Sequence, residues 1–176
     1  MLYYTEYRSP IGMLTVVSED DGISGLWIEG QKYYFSTVYE QPVRNDDLEI
    51  FHDTRKWLDR YFAGEKPIPK ELKLVPAGST FRQAVWNILC EIPYGSVTTY
   101  GAIAGKLAVS KGAAGDNCRR AMSAQAVGGA VAHNPISIII PCHRVIGADG
   151  SLTGYAGGIE KKIRLLQLEG VKEPLL

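Results

Sequence analysis

A chain of 176 residues has room for one or two small domains with a real core. Its 45% hydrophobic and 22% charged content is ordinary for a globular protein and excludes a disordered chain. Nineteen basic and nineteen acidic side chains cancel, yet residues 1–79 carry a net −4 and residues 80–176 a net +4.

The first third reads as strands and turns. Leu14-Thr15-Val16-Val17 follows the turn-like Ser9-Pro10-Ile11-Gly12, and the polar Ser18–Gly22 turn leads to Ile23–Ile28. Two β-rich runs joined by an acidic turn predict an antiparallel hairpin or meander. Residues 47–63 predict an amphipathic helix with Leu48, Phe51, Leu58, Tyr61 and Phe62 near one face and Gly64 as its stop. An extended, proline-containing connector follows, and Pro76-Ala77-Gly78-Ser79 marks a boundary where the charge changes sign.

The second half is mostly helical. Thr80-Phe81-Arg82-Gln83 has the form of a capping box, and Phe81, Val85, Leu89 and Ile92 continue it as a helical stripe up to Pro93-Tyr94-Gly95. Thr99 caps a short helix over 100–107, residues 108–120 read as a loop, and a further helix covers about 122–132 with Ser123 as its cap. Asn134-Pro135 ends that helix. The apolar, β-branched run 136–140 predicts a buried strand, and 159–169 a last helix with Ile159, Ile163 and Leu166 on one side.

No internal repeat is present, and no stretch approaches the roughly 18 apolar residues of a spanning helix. Residues 1–10 lack a basic stretch leading into an apolar run, so no targeting segment is expected. Cys90, Cys118 and Cys142 cannot all pair within one chain and predict free thiols in a reducing cytoplasm. No C-x-x-C is present, and His52, His133 and His143 have no ligand spacing, so no metal is expected.

Three groups of residues carry chemistry. In Pro141-Cys142-His143-Arg144-Val145 a thiol adjoins an imidazole that can take its proton. Neighbours on a regular strand face opposite ways, so the two need a turn or a bridging water to meet. A buried structural cysteine beside a surface histidine stays open as the alternative. Glu169, before Gly170, faces the negative end of its helix, and a partner such as His143 would account for it there; a solvated glutamate is the other reading. The third group is helix–turn–helix-like. Its second helix contains Ala126-Val127-Gly128-Gly129-Ala130, whose adjacent glycines allow close approach of another helix or of a nucleic-acid backbone.

At these residues the chain resembles the O6-alkylguanine-DNA alkyltransferases, the methylated-DNA–protein-cysteine methyltransferases. The resemblance rests on Ile-Pro-Cys-His-Arg-Val at 140–145, Ala-Val-Gly-Gly-Ala at 126–130, Asn134-Pro135, Gly154-Tyr155 with Gly157-Gly158, and a glutamate 27 residues after Cys142. It is specific over about 80–170 and weaker over 1–79. It implies an α+β protein: an RNase H-like β-sheet domain over 1–78 and, over 79–176, a mostly helical DNA-binding and alkyl-acceptor domain with a helix–turn–helix-like unit.

It also implies the roles. Cys142 is the alkyl acceptor, His143 deprotonates it through a water, Glu169 orients the imidazole, and Tyr100 assists departure of guanine. Gln125, Ala126, Gly128, Gly129 and Asn134 serve DNA binding, with Asn134 as a hinge. Val145, Leu152, Tyr155 and Ala156 line the base pocket. The implied partner is double-stranded DNA carrying O6-alkylguanine (or O4-alkylthymine), bound by a cytoplasmic monomer without cofactor. The implied reaction is irreversible, one transfer per molecule. Two departures stand out: Gln125 occupies the place of an arginine finger that many members insert where the flipped base was, and the 108–120 loop is longer than in compact members. A damage sensor of similar fold, a cysteine hydrolase and a helix–turn–helix regulator remain as alternatives.

Overall fold

The computed structural model describes residues 1–110, 123–152 and 154–172. The chain divides into two compact units, Met1–Ala77 with Pro135–Ile140, and Gly78–Asn134 with Pro141–Leu176. Among the described residues no helix is long and apolar enough to cross a membrane.

The first unit is built on a four-stranded sheet. β1 (Leu2–Ser9) and β2 (Gly12–Glu19) form an antiparallel hairpin, β3 (Gly22–Ile28) pairs antiparallel with β2, and β4 (Val43–Arg44) adds a short parallel edge beside β1. The spatial order is β3-β2-β1-β4. β3 is buried along its whole length, which explains its nearly continuous apolar reading. A side chain at Gly25 would collide with the Trp27 ring, its Cβ falling 2.1 Å from ring carbons. The outer edge of β3 is covered by two extended segments. Ile23 exchanges backbone hydrogen bonds with Lys73 and Val75, and Leu26 with Pro135 and Ser137.

α1 (Glu49–Phe62) lies against β1 and β2 and buries Phe51, Thr54, Trp57, Leu58 and Tyr61. Phe51, Leu58 and Tyr61 are the stripe read from the sequence; Leu48 is instead the residue before the helix, Phe62 is only half-buried, and Thr54 and Trp57 join the buried face. Trp57 stacks on Tyr61 and donates its indole N–H to the Ile68 carbonyl at 2.8 Å.

Residues 136–140 are buried as expected but do not form a strand. Only Ile136 makes a bridge, with Leu26, and the rest is a tight turn in which Ile140 N–H returns to the Ile136 carbonyl at 3.1 Å. Ile138 sits at φ +72°, a costly place for a β-branched residue. Burial and β-branching identify an apolar run without fixing its backbone; here Ser137 N–H bonds Leu26, while those of Ile139 and Ile140 close within the segment.

The second unit is helical. α2 (Thr80–Leu89) is capped by Ser79, whose hydroxyl accepts the Arg82 N–H at 3.3 Å, so the cap lies one residue before the predicted Thr80. β5 (Thr98–Thr99) runs parallel to β6 (Val145–Ile146). Thr99 caps α3 (Tyr100–Ser110) by accepting the Ala102 N–H at 3.1 Å. α3 extends three residues past the predicted end at Leu107. The remainder of the 108–120 loop, with Cys118, lies outside the described residues.

Ser123 caps α4 (Ala124–Ala132) as predicted, accepting the Ala126 N–H at 3.1 Å. The Trp86 indole N–H ties α2 to α4 through the Ala130 carbonyl at 2.9 Å. α5 (Ile159–Leu168) closes the unit. Its buried stripe is Lys162, Leu165, Leu166 and Glu169, not Ile159 and Ile163; Ile159 is half exposed.

Candidate active site

Pro141 leads into a single 3-10 turn over Cys142–Arg144, and Val145 resumes an extended backbone. Successive side chains on such a turn fan apart by about 120° instead of alternating by 180°. The turn therefore removes the opposed orientation that a strand would impose on Cys142 and His143. Cys142, His143 and Arg144 are all buried, so His143 is not a surface residue.

Glu169 caps the C-terminal end of α5 and receives three donors. His143 Nε2 donates to Oε2; Arg144 Nε donates to Oε1 at 2.6 Å; and the Gly95 N–H donates to Oε1 at 3.2 Å. The guanidinium answers the unfavourable helix-end position of the carboxylate. Gly95, at φ +82°, brings its backbone so near that a Cβ would lie 2.9 Å from the Glu169 carbonyl oxygen. Arg144 is further held by the Ile92 carbonyl at 2.6 Å and lies over the Tyr94 ring.

Burial pushes the Cys142 thiol up, opposed by a hydrogen bond from Asn134 and the charge of Lys162. Burial also pushes His143 down, although Glu169 pulls the other way. Desolvation works against ionisation of Glu169, but His143, Arg144 and Gly95 together hold its carboxyl below the usual range. At neutral pH the site is thus a thiol, a neutral imidazole and a carboxylate. With Nε2 facing the carboxylate, the hydrogen of the neutral ring sits on Nε2 and Nδ1 is the basic atom.

These shifts make the fold acid-sensitive. Unfolded His143 takes up a proton below about 6.5 while the buried ring resists, and unfolded Glu169 does so below about 4.5 while the clasped one does not. In both cases the unfolded state binds more protons, so stability falls as pH falls. The melting temperature is expected to drop from pH 6.5 downward, more steeply below 4.5, by about 2–4 °C per kcal/mol lost. A flat melting temperature between pH 7 and pH 4 would contradict this.

The other predicted residues take distinct places. Tyr100 opens α3 with its ring beside Gly128 of α4; its hydroxyl lies 3.1 Å from where a Gly154 Cβ would stand, within the field of Cys142. Val145, Leu152 and Tyr155 are buried and Ala156 half-buried. The Tyr155 hydroxyl is buried without a hydrogen-bond partner among the described residues and feels both Cys142 and Glu169. Gln125 and Gly129 are exposed on α4, and Ala126 and Gly128 half-buried. Among the described residues, a Cβ at Gly128 would make only ordinary contact with Tyr100 and one at Gly129 would meet nothing, so their packing requires neither glycine. Asn134 differs from these helix positions: it is buried and bonds the Cys142 sulfur.

Two family models cover nearly the whole chain. The ribonuclease-like domain of 6-O-methylguanine DNA methyltransferase matches residues 2–76, and the DNA-binding domain of the same family matches residues 80–171. The chain belongs to the 6-O-methylguanine DNA methyltransferase family. It is 41% identical to the methylated-DNA–protein-cysteine methyltransferase of Haemophilus influenzae, over 97% of this chain and 87% of that one. It is also 41% identical to that of Methanosarcina acetivorans, over 96% and 99%. A crystal structure of Mycobacterium tuberculosis OGT in complex with DNA is similar with a TM-score of 0.79 and 38% identity, over 95% of this chain and 92% of that one.

Within this family member, three site residues escaped the sequence reading: Arg144, Gly95 and Lys162. Lys162 carried a usable signal, because it stands three, four and seven residues before Leu165, Leu166 and Glu169, on the stripe that α5 buries. Its ammonium donates to the Val145 carbonyl at 2.5 Å.

Proposed function

We propose that this protein repairs DNA by direct reversal, moving the alkyl group of O6-alkylguanine onto its own Cys142, once per molecule. The observation that carries the reading is the 3-10 turn that buries Cys142 beside a His143–Glu169 pair, in a unit with a capped, glycine-bearing helix. The helix supplies the DNA face: Gln125, Ala126, Gly128 and Gly129 approach the backbone, and the net +4 of residues 80–176 has the sign that suits phosphate.

The lesion carbon lies inside a base stack, so the base leaves the duplex at a cost of a few kcal/mol. Val145, Leu152, Tyr155 and Ala156 receive it, and Asn134 joins the end of the DNA-facing helix to the reacting sulfur. The Cys142 proton passes through a water to His143 Nδ1, and Glu169 stabilises the imidazolium. The thiolate attacks the alkyl carbon in line with the C–O bond. A C–S bond forms, the C–O6 bond breaks, and its electron pair spreads into the guanine ring. The base takes up one proton, with the Tyr100 hydroxyl donating to the ring as charge develops. The thioether has no acyl carbon for water to attack, so Cys142 is not regenerated. Nucleophile, base and orienting carboxylate all lie on this chain, so the proposed reaction calls on no second subunit and no cofactor, and the free thiols suit a cytoplasmic setting.

The test is incubation with duplex containing O6-methylguanine, followed by peptide mass mapping. One methyl group on the Cys142 peptide per protein is the expected result. An unmodified peptide with tight binding would make the protein a damage sensor, and turnover of an ester or amide would make it a hydrolase.

Gln125 bears on base extrusion. It is exposed in the first turn of α4, where an arginine would add charge to the wedge that replaces the flipped base. Gln125→Arg is expected to raise the repair rate on duplex by about three- to tenfold, equivalent to roughly 1 kcal/mol, and to leave the rate on free O6-methylguanine unchanged. An equal gain on both substrates would remove the role in flipping.

A further inference from the structure

Residues 135–140 form a short loop flanked by Asn134 on one side and by Pro141 and Cys142 on the other, and Asn134 bonds the Cys142 sulfur. The shape of the loop therefore sets how that amide and that thiol face each other. Its middle is strained. The Ile139 N–H donates to the Ser137 carbonyl at 2.8 Å with Ile138 between them at φ +72°, a γ-turn of the rare, positive-φ kind. A β-branched residue is a poor occupant of that place, and Ile138 is fully buried there. Such a conformation persists only where its surroundings over-determine it.

Two sets of bonds do so. The Leu26 N–H donates to the Pro135 carbonyl at 2.8 Å and the Ser137 N–H to the Leu26 carbonyl at 2.9 Å, so the edge of β3 grips the entry of the loop. The second set runs through a side chain. Gln31 is buried just past β3, and its Oε1 accepts both the Ile28 N–H at 2.7 Å and the Ser137 hydroxyl at 3.1 Å. Ile28 is the last residue of β3, so the sheet holds the amide while the amide holds Ser137, whose carbonyl closes the γ-turn. A glutamine that only closed its own turn would need no more than its two bonds with Ile28. The bond to Ser137, 106 residues away, goes beyond that.

We infer that Gln31 is a positioning residue for the reactive cysteine, an acceptor beside the N-terminal sheet that holds the strained turn at Ile138 and so keeps Asn134 and Cys142 facing each other. This deepens the alkyltransferase reading and rests on Cys142 being the acceptor. Without the bond to Ser137, Ile138 is free to relax toward negative φ, and the chain leading into Pro141 is re-aimed. The Asn134 bond, which favours the ionised sulfur against the burial that opposes it, then weakens.

The experiment follows the thiol first and repair second. The full-length protein is treated with iodoacetamide across a pH series, and modification is read by mass on the Cys142 peptide, so Cys90 and Cys118 do not contribute. Gln31→Met nearly keeps the length of the side chain and removes the acceptor. Its midpoint for Cys142 modification is expected to rise by about one pH unit, and methyl transfer from O6-methylguanine duplex at neutral pH to slow by about tenfold, the matching loss of thiolate. Gln31→Glu keeps an acceptor oxygen in either protonation state and is expected to restore most of both. An unchanged midpoint in a folded Gln31→Met protein would overturn the inference, and so would a Gln31→Glu protein as impaired as Gln31→Met.

If Gln31→Met does not fold, Ser137→Ala decides. It removes the donor and leaves Gln31 on the Ile28 N–H. The same rise in midpoint is expected, and no rise would overturn the inference. Where both variants fold, the double variant is expected to shift no further than either alone, because each removes the same bond; additive shifts would count against it. Absence of methyl transfer from DNA to wild-type Cys142 would end the alkyltransferase reading without touching the titrations.

Discussion

Cys142→Ala is expected to abolish methyl transfer to the protein and to leave binding to O6-methylguanine duplex within a few-fold of wild type. Cys90, the other described cysteine, cannot take over: burial pushes its thiol up to about 11, and the neighbouring Glu91 opposes ionisation further. Binding is expected to survive because the proposed DNA face, with Gln125 and Gly129 exposed on α4, does not include the sulfur. The substitution removes one buried sulfur and the Asn134 hydrogen bond to it, at a cost of about 1–2 kcal/mol. Intact mass after incubation, with fluorescence anisotropy for binding, checks both parts. Methylation of any other residue in the variant would sink the assignment, and so would a loss of binding that matches the loss of transfer.

Glu169→Gln is expected to slow transfer by about 10²–10⁴-fold while nearly preserving side-chain shape. The carboxylate accepts from three donors: His143 Nε2, Arg144 Nε and the Gly95 N–H. A glutamine offers one acceptor oxygen and brings an NH2 group that needs an acceptor itself. The ready solution is for His143 to move its hydrogen to Nδ1 and accept at Nε2. That places a donor where the thiol proton must arrive, so the base is disabled by tautomer.

The same change leaves the Arg144 guanidinium buried without its counter-charge, at a cost of about 3–5 kcal/mol. Single-turnover kinetics and thermal melting measure the two effects. Lys162 and Tyr100 are untouched, so Cys142 should still react with iodoacetamide at high pH, where no base is needed. A rate within threefold of wild type would show that imidazole orientation does not limit the reaction.

The sequence by itself determined much of this site. Cys142 and His143 are adjacent in the chain, so no tertiary rearrangement can separate them, and the opposed faces of a strand already called for a turn or a bridging water between them. Glu169 betrayed itself by standing at the wrong end of a helix. Ser123 and Thr99 announced their helices because a cap is a local hydrogen bond. The sheet was legible as far as β2 and β3, whose apolar runs have clear turns between them. β1 was not, because its half-buried tyrosines are interleaved with the exposed Glu6 and Arg8 and give no continuous apolar signal, and it is identified by its pairing with β2.

The tertiary structure decided what depends on contacts between distant residues. Arg144 reads as part of a motif, but only the fold shows that Glu169 and the Ile92 carbonyl hold it. Asn134 reads as a helix stop, and only the fold brings its amide to the Cys142 sulfur. Residues 136–140 carry a strand's composition, yet whether such a run extends or turns depends on which carbonyls it meets, and here its own were nearest. Lys162 is the clearest case. A helical period places a charge on the buried face, but the Val145 carbonyl that receives it is met only in the fold, and no spacing along the chain encodes that meeting.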